Sequence, residues 1–238
     1  MKSDLLGGRR NVTVQLEGNL NGTLSGVLMS LAAEGRAIFV GLSVDLVSHN
    51  LSYVLKFTSE GLNEAYSQPF YIVPGSPHAL ALIHQPDGAR GGLPLALQPQ
   101  VQLSDQGGNR VPTSGGFWTI TAKPHNVSML GNLSIAFTDG LATFSNLRID
   151  TLGRTYTTFD TGKNVQPVDS EHFMVTAGPP AIIIILVQPG NGIGGLLDRH
   201  PCIQILDGGG NLIQEDASVS VNAKSTQGTY FVGLYESN

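Results

Sequence analysis

The sequence predicts an all-β chain, and three observations carry that prediction. Apolar and polar residues alternate at period two in short runs, as in Val101-Gln102-Leu103. Turn residues punctuate those runs roughly every 8–15 positions, the spacing of a many-stranded β domain. No stretch sustains the 3.6-residue apolar period of a helix.

An internal repeat sets the register in which each element is read. HALALIHQP at 78–86 returns as PAIIIILVQP at 180–189, and VQLSDQGGNRV at 101–111 returns as IQILDGGGNLI at 203–213. EGRAIFVGLSVD at 34–45 matches DGLATFSNLRID at 139–150. Gln85 to Gln188, Phe70 to Phe173, Gly75 to Gly178 and Tyr53 to Tyr156 are each 103 apart, whereas Asp45 to Asp150 is 105 and Asp105 to Asp207 is 102. The differences read as loop insertions. The expected division is 1–75 as the back part of one unit, 76–178 as a complete unit, and 179–238 as the front part of a third. The chain then reads as a fragment of a longer array.

Within the complete unit, Ala79 to His84 is a strand ended by Gln85-Pro86, because proline has no N–H to give a sheet. Residues 87–93 are a glycine-rich loop. Val101 to Leu103 is the next strand. Asp105 to Asn109 turns back, with glycine supplying positive φ and the Asp oxygen available to nearby N–H groups. Phe117, Thr119 and Thr121 face one side of a further strand, with Trp118, Ile120 and Ala122 on the other. Leu133, Ile135 and Phe137 mark the next strand. Gly140 turns into 141–146, and Leu147 and Ile149 follow. His172 to Val175 closes the unit before Gly178. Gly153 before Tyr156, matched by Asn50 before Tyr53, predicts a left-handed turn followed by the tyrosine corner of Greek-key sandwiches. The sum is about seven strands per complete unit, the pattern of tandem immunoglobulin-like Greek-key β-sandwiches. The repeat assigns a shared core of Phe39, Leu42, Val44 and Tyr53 in the first unit and Phe144, Leu147, Ile149 and Tyr156 in the second.

Composition narrows the function classes. The net charge is -5, from 13 Lys+Arg against 18 Asp+Glu, with no basic stripe, which argues against a nucleic-acid partner. Cys202 is the single cysteine, so no intrachain disulfide forms and the core is held by packing. The apolar run from Ala181 to Val187 is too short to span a bilayer, so direct membrane insertion is not expected of this segment. Residues 1–15 lack the apolar region of a signal peptide.

Several motifs have a functional and a plain reading. Gly190-Asn-Gly-Ile-Gly-Gly195 spells a dinucleotide fingerprint, but a strand and not a helix is expected to follow it. The equivalent loop in the complete unit, DGARGGL, also leads into a strand, so no cofactor is expected. Asp105 and Asp207 each bring one carboxylate and one nearby Asn, too few ligands for calcium, and read as Asx-turns. His49, His78, His84, His125, His172 and His200 show no zinc spacing, and His84 is Val187 in the next copy. No nucleophile elbow or triad spacing occurs, so no catalytic residue is nominated and no enzyme is expected. Trp118 reads as a half-buried strand aromatic rather than a sugar-stacking surface. Asn11, Asn21, Asn50, Asn126 and Asn132 open N-x-Ser/Thr sequons, most at expected loops or strand edges.

The ordered set Gln85-Pro86, Asp105 to Asn109, Gly22-Thr-Leu-Ser-Gly26, Gly140 to Asp150, Gly153 to Tyr156 and Phe173 to Gly178 resembles the bacterial Ig-like (invasin/intimin-type) repeats of large surface and adhesion proteins. The resemblance covers nearly all of the chain beyond residue 11, and only the front half of the third unit. It implies an extracellular or cell-surface spacer or adhesive stalk, whose partners are neighbouring repeats and cell-surface or matrix glycans or proteins. Two function classes stay open: a non-catalytic structural array, and a glycan- or protein-binding module using inter-strand loops, with 123–132 the longest candidate. An accessory role beside a catalytic domain elsewhere has no residue in its favour.

Overall fold

The protein is described by a computed structural model covering residues 10–18, 21–113, 118–214 and 220–222. All its regular secondary structure among those residues is β. Among the described residues no helix is long and apolar enough to cross a membrane.

A buried apolar cluster is built from residues between Leu80 and Val175. One sheet runs in the order Ser134–Ala136, Thr119–Pro124, Thr157–Asp160, Val168–Asp169, all antiparallel. Ile120, Ala122 and Phe159 point inward from it. A second sheet runs Leu141–Thr143, Gln100–Ser104, Ala79–His84, and supplies Leu80, Val101, Leu103 and Ala142. Phe144, one residue past that sheet, meets Phe159 across the interior with centroids 5.5 Å apart. Alternation therefore sorts as period two requires: Ile120 and Ala122 are buried while Thr119 is exposed. Phe117 lies outside the described residues. A smaller sheet, Gly153–Thr155, Phe173–Thr176 and Ala89–Arg90, contains a parallel pairing, Val175 with Ala89.

The first segment repeats this plan. Met29–Leu31, Asn11–Glu17, Val54–Thr58 and Ala65–Tyr66 form a sheet in the same order as the four-stranded sheet above. Leu24–Ser25 pairs Ser43–Val44 as Met129–Leu130 pairs Arg148–Ile149. Glu34-Gly35 and Asp139-Gly140 both have positive φ at two successive residues, the backbone of a type I′ hairpin turn. The third segment repeats the other half. Pro180–Val187 pairs Cys202–Asp207 as Ala79–His84 pairs Gln100–Ser104, and both pairs slip register at the same repeat position, between Leu82 and His84 and between Ile185 and Val187.

Three details differ from the sequence reading. Ala89–Arg90 is a strand inside the stretch 87–93 expected to be loop, and Thr157–Asp160 and Val168–Asp169 are strands the spacing did not mark. His49, at φ 46°, and not Asn50, takes the left-handed conformation before Tyr53. Tyr156 is not the counterpart of Tyr53. Tyr53 exchanges backbone hydrogen bonds with Phe70, whereas the residue opposite Phe173 is Thr155. A one-residue slip on a strand reverses the face, so Tyr156 turns outward.

Of the expected core, Tyr53, Phe144, Leu147 and Ile149 are buried, while Phe39, Leu42, Val44 and Tyr156 are half-buried. The position of Tyr156 is filled by Thr155, which is buried and donates its hydroxyl to the carbonyl of His125 at 2.8 Å.

Candidate functional site

The most organised polar constellations occur twice, once around Asp105 and once around Asp207. Each begins with a tight turn. Asp105 accepts the N–H groups of Gly107 and Asn109 on Oδ1, both at 2.9 Å. Asp207 accepts those of Gly209 and Asn211 on Oδ1, at 2.9 and 2.8 Å. Gly108 and Gly210 take φ of 83° and 85°, a conformation that favours glycine. The Asx-turn expected from the sequence is the inner half of this arrangement.

The outer half reaches residues 29–64 positions upstream in the chain. Asp105 Oδ2 accepts the N–H of Gly75 at 2.8 Å, and Asp207 Oδ2 accepts that of Gly178 at 2.8 Å. Asn109 Nδ2 donates to the carbonyl of Asp45 at 2.6 Å, and Asn211 Nδ2 donates to that of Asp150 at 2.7 Å. Each amide also donates to the carboxylate of its own turn. Around Asp105 the circuit closes further, because Val47 N–H donates to Asn109 Oδ1 at 2.9 Å. Around Asp207, Gly92 N–H donates to Asp150 Oδ1 at 2.8 Å.

Both carboxylates are buried, Asp105 at 7% exposure and Asp207 at 0%. Burial pushes each carboxyl up, but the converging N–H donors outweigh it and hold both below the ordinary Asp value. A buried charge without such donors would be strongly unfavourable. The second constellation also depends on glycine for close approach: a Cβ on Gly178 would run into the carbonyl of Gly91, and one on Gly91 into Asp207 and Asn211. Beside each constellation lies an open groove, about 740 Å³ at the first and about 550 Å³ at the second. Val47 and Asn109 line the first, and Leu152 and Asn211, their repeat equivalents, line the second.

The other sequence candidates lie elsewhere. Gly190 to Gly195 forms a hairpin in which Gly192–Ile193 pairs Leu196–Leu197 around Gly194 and Gly195, both at positive φ. The next regular element is the strand Cys202–Asp207, so the fingerprint has no helix terminus for a pyrophosphate. Among the described residues no group of three His, Cys, Asp or Glu side chains converges on a metal-sized site. His125 and His172 flank the ring of Tyr156, at 4.6 and 4.9 Å. Trp118 is half-buried against the core, with Lys163 Nζ 4.2 Å from its ring centroid. Asn11, Asn21, Asn50, Asn126 and Asn132 are all exposed.

Sequence reasoning identified the Asp turns and missed what they hold. The signal was present in the repeat. Asp45, Gly75, Asp105 and Asn109 recur as Asp150, Gly178, Asp207 and Asn211, and polar residues that recur beside strand ends need a structural partner.

No protein-family model matches the chain, and no curated protein matches it.

Proposed function

We propose that the chain is a non-catalytic structural array of tandem immunoglobulin-like Greek-key β-sandwiches, serving as an extracellular spacer or adhesive stalk of a larger surface protein. The observation that carries the reading is the matching pair of joints. The same four residues meet in the same way at 45–109 and at 150–211, which is what end-to-end linkage of like units requires. Tyr53 supports the Greek-key assignment, since its hydroxyl donates to the carbonyl of Leu46, seven residues upstream, as a tyrosine corner does. The five exposed sequons support an extracellular setting. The unit boundaries are those of the sequence: 1–75, 76–178 and 179–238.

One observation favours a glycan- or protein-binding role. The expected 123–132 loop is in fact a short 125–128 turn between the strands Thr119–Pro124 and Met129–Leu130; beside it His125 stacks on Tyr156 and His172 tilts against the same ring, with both histidines exposed. Exposed aromatic groups beside such a turn offer apolar contact area to a sugar or protein partner. The test is a glycan and matrix-protein array probed with the 238-residue chain. The spacer reading expects no saturable binding. Saturable binding abolished by Tyr156→Ala overturns it in favour of recognition.

A further inference from the structure

We propose that the Asp-x-x-Gly-Asn turn of each repeat is a self-recognition plug, whose partner is the Asp and Gly at the back end of the preceding repeat. This coupling locks consecutive repeats in one orientation without a metal ion. The inference rests on the reading of the chain as linked units, and deepens it by naming the surface through which they are linked.

The first argument is donor accounting. An Asn side-chain amide has two N–H bonds. Asn211 spends one on the carboxylate of Asp207, within its own repeat, and the other on the carbonyl of Asp150 in the repeat before. Asn109 does the same with Asp105 and Asp45, and its oxygen takes the N–H of Val47 as well. One donor anchors the amide plane to the carboxylate of its own turn and the other crosses the boundary, so the cross-boundary bond starts from a plane already held in place. Orientation is therefore fixed by two bonds that diverge from one rigid plane.

The second argument is acceptor accounting. An ionised carboxylate offers about four lone-pair sites. Asp207 Oδ1 receives the N–H groups of Gly209 and Asn211 and the Asn211 amide, and Oδ2 receives Gly178 N–H and the same amide. Asp105 is occupied in the same pattern by Gly75, Gly107 and Asn109. All the donors are neutral, and they leave no lone pair aimed at an added cation. Calcium takes six to eight oxygens, and here it would have to displace the N–H groups that define the joint. The rigidity is encoded in the chain.

The third argument is placement. Gly75 and Gly178 lie in the connecting segments Gly-Ser-Pro and Gly-Pro-Pro, where a chain would otherwise bend. Their N–H groups are the ones the carboxylates hold, so the coupling acts on the hinge itself.

Spin labels on the native Cys202 and on an Ala136→Cys variant test this, because both sites are exposed and lie on either side of the second joint. The expected result is one narrow distance distribution for the parent chain, unchanged by a calcium chelator. Asn211→Asp keeps the shape of the side chain, removes both donors and adds a like charge, and is expected to broaden the distribution to at least twice its width. Trp118 fluorescence and amide protection at Val101 and Phe159 report that the central core is intact. If Asn211→Asp unfolds the third segment, Asn211→Ala removes the donors without the charge and is read in the same way. A parent distribution that is already broad, a variant distribution as narrow as the parent's, or broadening by chelator overturns the proposal. None of these outcomes bears on ligand binding, so the spacer reading stands or falls separately.

Discussion

Tyr53 donates its buried hydroxyl to the carbonyl of Leu46 at 3.1 Å, tying the start of one strand to the end of the segment that leads into it. Burial, with the charge of Asp45, raises the phenol above its ordinary value, so the donor stays protonated. Tyr53→Phe leaves a carbonyl without its partner and is expected to cost about 1 kcal/mol. Tyr156→Phe, at the half-buried ring that faces outward, is expected to change stability by less than about 0.5 kcal/mol. Urea unfolding of the two variants makes the comparison. Equal losses would mean that Tyr156 also serves as a corner.

Phe144 is the larger packing element. It is buried against Phe159 and the sheet that carries Val101 and Leu103. Phe144→Ala is expected to destabilise the core between Leu80 and Val175 by about 3–5 kcal/mol through lost transfer energy and the cavity left behind. Phe144→Leu should recover much of that. Thermal melts followed at Trp118 read the effect.

The two joint carboxylates predict an acid response, and its sign follows from their depressed values. A group held below its unfolded value contributes fully above about pH 3.9, the unfolded Asp value, and loses its contribution as pH falls through the folded value. Protection of the Gly75 and Gly178 amides is therefore expected to be constant from about pH 8 to about pH 5 and to fall only in stronger acid. Hydrogen exchange at those two amides measures it. Loss of protection near neutral pH would assign the titration to some other group.

Gly178 has no room for a side chain. A methyl there meets the carbonyl of Gly91 and the Cβ of Asp207. Gly178→Ala is expected to pry the second joint open while leaving the central core melting where it did. Gly75→Ala should be milder, because the nearest atoms of Asp105 lie at 3.4 Å and beyond, an ordinary contact. Distance measurements across each joint distinguish the two.

Expression in a glycosylating secretory host is expected to add glycan at the exposed sequons. Asn21 and Asn50 are favourable, since both lie outside regular strands. Asn11 is less so, because it opens the strand Asn11–Glu17 and pairs Leu31. Site-by-site mass spectrometry reads the occupancy, and absence of glycan at all five would remove this support for an extracellular setting.

The β class and most strand positions were legible because period-two alternation and turn residues are local signals. Ile120 and Ala122 facing inward, and Ala79 to His84 ending at Pro86, needed nothing beyond the sequence. The short strands Ala89–Arg90 and Val168–Asp169 were not legible, because two residues carry no period. The slip at Tyr156 has a different cause. Matching tyrosines by their spacing ignored that a single inserted residue moves a side chain to the opposite face, and only the pairing of Thr155 with Phe173 reveals the register. The joints were half legible. A turn announces itself locally, whereas the carbonyl of Asp150 that receives Asn211 lies 61 residues away.

In the proposed array, each copy would carry a socket at its back end, Asp45 and Gly75 or Asp150 and Gly178, and a copy that follows would bring the plug at its front. Duplication of one whole period in the gene therefore adds a unit and a finished coupling in the same event, and deletion of one period rejoins its neighbours through the coupling they already used. Such an array is free to change length between related chains while every junction keeps the same chemistry.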